Sequence, residues 1–473
     1  MRPRVTSALG QTVVYGAGIA VMKAVSLLML PFLAHQLSAE SLGRLEVIGS
    51  LAVIGSVLAG LGMEDALFRH ASAESSQQGR KRMAAAIFGQ AIVLGFIVWI
   101  AGMLLAERLA SLIPGNPSPY ELKLVLSVLA LEGCIAIPLG WLRMQERAIT
   151  FFLVTTGRAA LQALLVLVLV SHGAGVEGVL EAGLVAALAQ ALLLGFMQLR
   201  ETGASLDRDT VGVTLRYSLP IVGSGLVAVV LNGVDRWMLA ASASLEEVAH
   251  FGVAAKFALA VVLLMQPFGA WWSSRRFATL NSPGGHARAA KIITIGVTLT
   301  LFITVLTGLA APLLVRFLLP ANFEVAADYA IVMVLVMALR ELAELLNLGC
   351  FTGKTTGTQL GINLIASLAG FAGMWLLIPD HGVWGLIGAL LGAQALRVIL
   401  FTFASQRYLP LPFPAYAILA FGCMSLCWLI AGSMLSSIIQ QLLLVVTAMV
   451  SMLATALALK LIPAPRRMKV ALQ

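Results

Sequence analysis

Residues 217–277 read YSLPIVGSGLVAVVLNGVDRWMLAASASLEEVAHFGVAAKFALAVVLLMQPFGAWWSSRRF. The stretch contains two apolar runs, each long enough to cross a bilayer as a helix, joined by a short acidic loop at residues 244–247. Asp235, Arg236 and Lys256 lie inside these runs. An ionised side chain at membrane depth costs about 2.5–3.5 kcal/mol on insertion scales, so all three residues are candidates for a functional site.

The rest of the chain has the same apolar character. Of its 473 residues, 60% are hydrophobic and 11% are charged, whereas a soluble domain carries about 25% charged residues. The apolar runs do not alternate with polar residues as the strands of a membrane β-barrel do. The sequence therefore predicts an all-α polytopic membrane protein with almost no soluble domain.

Runs of membrane-crossing length occur about fourteen times. They lie near residues 12–34, 45–63, 83–106, 122–142, 151–171, 179–199, 217–240, 249–270, 292–313, 329–350, 357–378, 384–404, 414–435 and 440–462. One set of loops and ends carries twenty lysines and arginines, and the opposite set carries only Arg44, Arg108, Lys123 and Arg316. Because basic loops stay inside, we expect both termini to be cytoplasmic.

An internal repeat organises the chain. Residues 112–116 (LIPGN) return as 318–322 (LLPAN), and residues 38–40 (SAE) return as 244–246 (SLE), at an offset of 206 residues. Other short anchors repeat at an offset of 206 or 207 residues. Six spans per repeat give both copies the same orientation, which is typical of transporters that bind their substrate between two halves.

The repeat predicts the domain organisation. We expect a six-helix N-terminal lobe, a cytoplasmic linker, a six-helix C-terminal lobe, and a final pair of helices with a cytoplasmic tail. Their boundaries are residues 1–199, 200–216, 217–404 and 405–473.

Ionisable residues within the predicted spans form the candidate site. The candidates for binding an anionic substrate are Lys23, Arg158, Asp235, Arg236, Lys256, Arg340 and Arg397. A cavity rich in lysine and arginine suits an amphiphile with a phosphate headgroup. The acidic residues Glu132, Glu341 and Glu344 are candidates for ion coupling through H⁺ or Na⁺. The alternative is that these charges form structural ion pairs or extend towards the membrane surface.

Several functions are excluded or unsupported. The sequence contains no HExxH, no complete phosphate-binding loop and no GxSxG, so we expect a protein that is not an enzyme and uses no cofactor. The four cysteines all fall inside predicted spans and predict neither disulfides nor a metal site. The net charge of +9 is concentrated in alternate loops, which indicates membrane topology rather than nucleic-acid binding.

Short motifs along most of the chain resemble one family. They are residues 31–33 (PFL), 37–43 (LSAESLG), 232–236 (NGVDR), 247–248 (EV), 255–256 (AK), 319–320 (LP) with Tyr329, and 353–355 (GKT). They resemble the bacterial oligosaccharide flippases, which form the O-antigen and polysaccharide transporter family of the multidrug/oligosaccharidyl-lipid/polysaccharide exporter superfamily. One departure is AHF at residues 249–251, where that family usually has Gly-x-Tyr.

The resemblance implies a flippase that moves polyprenyl-diphosphate-linked oligosaccharide from the cytoplasmic to the outer leaflet of the bacterial inner membrane. It also implies two lobes in a V shape that work by alternating access. A polysaccharide polymerase and glycosyltransferases are the expected protein partners, and membrane lipids surround the helices.

Three alternatives stay open. They are an ion-coupled drug or small-solute antiporter of the same superfamily, a lipid-linked peptidoglycan precursor flippase, and an integral-membrane polysaccharide polymerase or ligase. The short outer loops disfavour the polymerase or ligase. The sugar, the coupling ion and the oligomeric state are open at this stage.

The first prediction concerns topology. In a cysteine-free background, a cysteine placed at Ser76 should react only after the membrane is permeabilised, whereas one at Asn116 should react in intact cells. The physical reason is the excess of basic residues on the side that holds Ser76. Labelling of position 76 by an impermeant maleimide in intact cells would overturn the predicted orientation.

Overall fold

The computed structural model describes residues 8–60, 62–230, 233–352, 357–435 and 437–462. Some sequence predictions therefore lie outside the described residues: the basic residues at both ends of the chain, Asn232 of the NGVDR motif, and the GKT motif at residues 353–355. The chain divides into two compact units, Met1–Ala249 and His250–Gln473.

Helices are the regular secondary structure of the described residues of unit 1. The helices are α1 (Ala8–Gln36), α2 (Ala39–Gly60), α3 (Met63–Ala73), α4 (Gln77–Leu112), α5 (Pro119–Ala130), α6 (Glu132–Met144), α7 (Ala148–Ser171), α8 (Gly175–Glu201), α9 (Arg208–Val230) and α10 (Asp235–Ser242). Long-range contacts join α1 to α7, α4 to α5 and α6, and α7 to α8.

Unit 2 is built in the same way. Its helices are α11 (Leu245–Leu280), which begins just before the unit boundary, α12 (Gly285–Leu318), α13 (Val325–Leu346), α14 (Gly357–Tyr408), α15 (Ala415–Ser433) and α16 (Ile438–Ala458). Two short 3₁₀ turns, Ala321–Phe323 and Leu348–Phe351, flank α13. The all-α prediction is confirmed over the described residues.

Eleven helical stretches among the described residues are long and apolar enough to cross a membrane. The sequence predicts about fourteen spans, and the difference arises at three places. The span at 217–240 lies partly outside the described residues, and α13 carries four charged residues among its 22. In addition, α14 contains two predicted spans, separated by Gly382 with a φ of 53°. Such a positive φ is readily adopted only by glycine.

The compact division falls later than the lobe boundary that the repeat predicts. Helix α9 contacts α2, α3 and α4, and helix α10 contacts α2. The seventh predicted span therefore packs within unit 1, although the repeat groups its sequence with the second half of the chain.

Two helix breaks occur in the described part of unit 1, next to Gly62 and at Leu131. Gly62, with a φ of 59°, precedes α3, and Leu131 separates α5 from α6. Backbone groups at such breaks must find partners inside the protein, because lipid offers none. The carbonyl of Gly62 accepts from the amide of Ala66 at 3.1 Å and from the hydroxyl of Ser218 at 3.3 Å. The carbonyl of Gly62 is thus satisfied within the unit.

Each unit has an apolar core of its own. In unit 1, Leu67 of α3, Phe88 of α4 and Ile137 of α6 are among the buried side chains that pack together. In unit 2, the final helices α15 and α16 pack against α12 through a cluster that includes Phe421 and Met452. Large apolar side chains such as Leu28 and Phe96 face outward, as a lipid-facing surface requires.

Two glycines allow a segment of chain to lie directly on a helix. A Cβ atom on Gly89 of α4 would overlap the carbonyl oxygen of Ser205, whose amide donates to the carbonyl of Ala85 at 3.0 Å. A Cβ atom on Gly349 would overlap the carbonyl oxygen of Ser405, whose hydroxyl accepts from the amide of Gly349 at 2.8 Å. Close approach of backbone to backbone is possible here only because glycine has no side chain.

The second prediction tests whether the backbone of residue 205 packs directly against Gly89. Gly89→Ala should lower the melting temperature of the detergent-solubilised protein by several degrees, because the new methyl group pushes residue 205 away from α4. Gly157→Ala on α7 is the matched control, since none of the described atoms lies within 4 Å of the place its Cβ would take. That change should be neutral or stabilise by up to about 1 kcal/mol. Equal melting temperatures for the two variants would show that residue 205 is not seated on Gly89.

Candidate functional site

A carboxylate, an arginine and an amide come together in unit 1. Glu132 begins α6, Arg158 lies on α7 and Gln190 lies on α8. Nη1 of Arg158 donates to Oε1 of Gln190 at 3.0 Å, and the carboxylate of Glu132 attracts the guanidinium electrostatically. We call these three residues the first triad. It connects the fourth, fifth and sixth predicted spans.

A second triad occupies unit 2. Arg397 donates from Nη2 to Oε1 of Glu344 at 2.6 Å and from Nε to Oδ1 of Asn363 at 2.9 Å. Asn347 adds a hydrogen bond from Nδ2 to Oε2 of Glu344 at 3.2 Å. Glu344 lies on α13, whereas Asn363 and Arg397 lie on the two halves of α14. This second triad, Glu344, Asn363 and Arg397, connects the tenth, eleventh and twelfth predicted spans.

The two triads follow the internal repeat. Gln190 and Arg397 are 207 positions apart, which is the repeat offset. In unit 1 the arginine is on the fifth span and the amide on the sixth, whereas in unit 2 the amide is on the eleventh and the arginine on the twelfth. Both units therefore contain a hydrogen bond from an arginine to an amide oxygen, but the spans that carry the arginine and the amide are exchanged.

A third ion cluster joins α10 to α2 within unit 1. Nε of Arg236 donates to Oε2 of Glu46 at 3.0 Å, and its Nη1 lies 3.2 Å from Oδ2 of Asp235. Asp235 is buried. The indole of Trp237 donates to the carbonyl of Val47 at 3.3 Å. Asp235 and Arg236, both candidates for substrate binding, thus hold α10 against α2 in this structure.

The remaining candidates are half-buried. Lys23 lies midway along α1, a helix that packs against α7 with Gly18 next to Phe152. Within the described residues, no hydrogen bond or ion pair joins Lys23 to Glu132. Lys256 lies on α11, and Arg340 and Glu341 lie on α13 one turn before Glu344. The structure therefore bonds Glu344 to Arg397, whereas Glu132 and Arg158 interact electrostatically without a direct ion pair among the described contacts.

A cavity of about 290 Å³ opens beside Glu132. It is lined by Ser56, Val57, Gly60, Gly62, Met63, Glu64, Asp65, Glu132, Gly133, Ala136, Ile137 and Val222. The lining, as far as the structure describes it, therefore carries carboxylates but no lysine or arginine. Glu64 forms an ion pair with Arg143, which stands behind the lining. This acidic cavity lies within unit 1, whereas the lysine- and arginine-rich cavity that the sequence predicts would lie between the two halves.

Sequence reasoning missed Glu64 and Asp65. They follow the second predicted span, which ends at residue 63, so hydropathy places them in a cytoplasmic loop. One signal that could have found them is the glycine pair of Gly60-Leu61-Gly62, which only Met63 separates from the two acidic residues, since paired glycines mark a helix break. Because the chain breaks at Gly62 and continues as α3, the carboxylates of Glu64 and Asp65 reach the same cavity as Glu132.

Arg276 is a third residue that sequence reasoning missed. It lies near the end of α11, beyond the membrane-crossing stretch Leu245–Ser273, and its guanidinium stacks over Phe351 at 4.3 Å. Burial lowers the pKa of Arg276, and the nearby Glu344 carboxylate opposes that shift. Arg276 thereby adds a cation beside the second triad. In the sequence, the Arg275-Arg276 pair is a signal of orientation alone.

Metal binding has no support in the part of the chain that the structure describes. No group of three or more histidine, cysteine, aspartate or glutamate side chains there could hold a metal ion. The polar chemistry of the described helices consists of ion pairs, amide links and the acidic cavity.

Comparison with protein-family models shows to which family the chain belongs. The family model described as "Polysaccharide biosynthesis protein" matches residues 9–271, more than half of the chain. The chain belongs to this family. The resemblance drawn from the short motifs is therefore confirmed, and the match includes α1 to α10 and the first part of α11.

Solved structures show the same fold. The lipid II flippase MurJ in an inward closed conformation superposes with a TM-score of 0.74 at 13% identity, covering 93% of this chain and 98% of that one. An inward-facing multidrug resistance MATE family transporter of the MOP superfamily gives 0.59 at 16% identity, covering 85% and 95%. A MOP superfamily transporter from Pyrococcus furiosus gives 0.52 at 14% identity, covering 84% and 95%. No curated protein matches the sequence.

The third prediction tests the second triad by a double-mutant cycle. Glu344→Gln and Arg397→Met should each lower the melting temperature in detergent, because each leaves a charged partner without its counter-ion. The double variant should be less destabilised than the sum of the two, by a coupling of about 0.5–3 kcal/mol.

The control pairs Arg397→Met with Lys291→Ala on the exposed start of α12. Effects in that pair should add, because no hydrogen bond or ion pair of the described residues links the two positions. Additive effects for Glu344 and Arg397 as well would contradict a functional or structural link between them.

Proposed function

We propose that the protein is a flippase that translocates a polyprenyl-diphosphate-linked oligosaccharide across the bacterial inner membrane by alternating access. The observation that carries this proposal is the match to the polysaccharide biosynthesis family over residues 9–271. The fold alone would not distinguish it, because it is shared by the lipid II flippase MurJ and by MATE transporters. The glycan itself, an O-antigen or another polysaccharide repeat unit, is part of the proposal.

Spare hydrogen-bond donors on arginine support an anionic headgroup. A guanidinium has five N–H donors in a planar fork that matches phosphate oxygens. Arg158 uses one of them on Gln190, and Arg397 uses two, on Glu344 and Asn363. Each arginine is held in a fixed direction while several donors stay free for a ligand. In this proposal Lys23, Lys256 and Arg340 add further positive charge along the route.

Acidic residues next to these arginines support ion coupling. Glu132 attracts Arg158, and Glu344 binds Arg397 while Glu341 lies beside it on α13. Binding of H⁺ or Na⁺ to such a carboxylate weakens its electrostatic attraction to the arginine. The arginine can then bind a phosphate more readily, and ion binding is coupled to substrate binding. The coupling ion would then move against, or with, the lipid-linked substrate.

The proposed cellular setting follows from the same function. The protein lies in the inner membrane with both termini in the cytoplasm, receives its lipid-linked substrate from glycosyltransferases, and delivers it to a polysaccharide polymerase. It performs transport and no covalent chemistry. A second candidate, a cation-coupled drug antiporter, is favoured by the acidic lining of the cavity beside Glu132 and by the MATE-like fold.

The fourth prediction tests the flippase function at Lys23. In cells that depend on this protein, Lys23→Ala should slow the appearance of glycan at the outer surface by at least about tenfold, the effect of losing roughly 1.4 kcal/mol of substrate binding. Lipid-linked oligosaccharide should then accumulate on the cytoplasmic face. Lys23→Arg should retain part of the activity, because it keeps the charge.

Lys291→Ala serves as the control for an exposed lysine outside the proposed route, and the amount of each variant in the membrane is measured in parallel. Glu132→Gln should change the dependence of transport on the ion gradient. Normal surfacing of glycan in Lys23→Ala cells would remove Lys23 from the route. Efflux of an organic cation by the wild-type protein, without any effect on lipid-linked glycan, would favour the antiporter.

A further inference from the structure

The cavity beside Glu132 lies wholly within unit 1. It is bounded by the end of α2, the break at Gly62 and the start of α3 on one side, and by the first two turns of α6 on the other, with Val222 of α9 completing the lining. In the predicted orientation it extends from the middle of the fourth span towards the cytoplasmic end of the second. That is the side from which a lipid-linked substrate would be loaded.

The volume of the cavity indicates the size of its ligand. At about 290 Å³ it is close to the lower limit of small-molecule sites, which measure roughly 300–1,000 Å³. One water molecule occupies about 30 Å³ of liquid volume, so the cavity would hold several. A single desolvated ion would leave most of this space unused. The cavity suits a group as large as one sugar ring.

The chemistry of the lining indicates which groups the ligand presents. Ionised carboxylates accept hydrogen bonds and donate none. Glu64 is engaged by Arg143, whereas no side chain among the described residues donates a hydrogen bond to Asp65 or Glu132. A ligand that fills the space must therefore supply donors, such as hydroxyl or ammonium groups. A ligand carboxylate would meet like charges, which is unfavourable at close range.

We propose that this cavity binds a neutral or amino sugar of the lipid-linked glycan and discriminates against sugars that carry a carboxylate. The inference rests on the proposed flippase function and adds the position of the sugar. Glu132 lines the cavity and also attracts Arg158. The proposed sugar site and the proposed phosphate-binding arginine therefore interact with the same carboxylate.

The experiment uses the full-length protein in proteoliposomes with synthetic polyprenyl-diphosphate disaccharides that differ in one sugar: glucose, glucosamine or glucuronic acid. Translocation is followed by the exposure of each probe to an enzyme outside the vesicle. The wild-type protein should move the glucose and glucosamine probes at least about tenfold faster than the glucuronic acid probe, equivalent to roughly 1.4 kcal/mol.

Removing the negative charges should reduce this preference. Asp65→Asn and Glu132→Gln, separately and together, should bring the three rates to within about twofold of one another, because like-charge repulsion is removed while side-chain size is kept. Glu107→Gln, an exposed residue on α4, is the control and should keep the wild-type preference. Gel filtration confirms that each variant is folded before reconstitution.

The outcomes separate this inference from the proposed function. Equal wild-type rates for all three probes, or a preference that survives in the double variant, would overturn the sugar site while leaving the flippase intact. Failure of the wild-type protein to move any probe would overturn the proposed function itself. Transport of tetraphenylphosphonium by the wild-type protein, abolished by Asp65→Asn together with Glu132→Gln and with no probe moved, would overturn both and assign the cavity to a cationic solute.

Discussion

The hydrocarbon of a membrane cannot hydrogen-bond to an ion or to backbone groups that lack a helical partner. Such groups must therefore find partners within the protein, as several do in this structure. Arg158 donates to an amide on a neighbouring helix, and Arg397 donates to an amide and to a carboxylate. The carbonyl of Gly62, at a helix break, accepts from the amide of Ala66 and the hydroxyl of Ser218. Arg397 already has protein partners, so binding a phosphate there means exchanging some of them, whereas Asp65 and Glu132 accept no hydrogen bond from a described side chain and are open to a ligand's donors.

The two triads show how a repeated fold keeps its geometry while its chemistry changes. Positions 190 and 397 correspond in the repeat, yet one is an amide and the other a guanidinium. Each side chain hydrogen-bonds to the neighbouring predicted span of its own unit. The arginine–amide bond between spans is therefore kept, although the arginine and the amide have changed places. The carboxylates are placed differently: Glu132 borders a cavity, whereas Glu344 is half exposed and bonded directly to its arginine. Related positions thereby acquire different chemistry in the two units.

Composition and hydropathy were sufficient to predict the all-α membrane class, and short motifs were sufficient to identify the family. Depth in a span also identified Glu132, Arg158, Glu344 and Arg397 as residues that need an explanation. Their pairing could not be predicted, because it depends on the rotation of each helix about its axis. Glu64 and Asp65 were missed because hydropathy does not reveal that the chain breaks at Gly62 and returns two carboxylates to the cavity.

The way each triad is completed inside its own unit has a consequence for biosynthesis. Glu132, Arg158 and Gln190 all leave the ribosome before any residue of unit 2 has been made. Unit 1 can therefore bring Glu132, Arg158 and Gln190 together during membrane insertion, without waiting for the rest of the chain. In unit 2, Glu344 is synthesised 53 residues ahead of Arg397, so the acidic partner enters the membrane first and awaits its arginine. Carboxylates can take up a proton during such a wait, whereas arginine cannot readily lose one, so this order of synthesis spares the membrane an uncompensated charge.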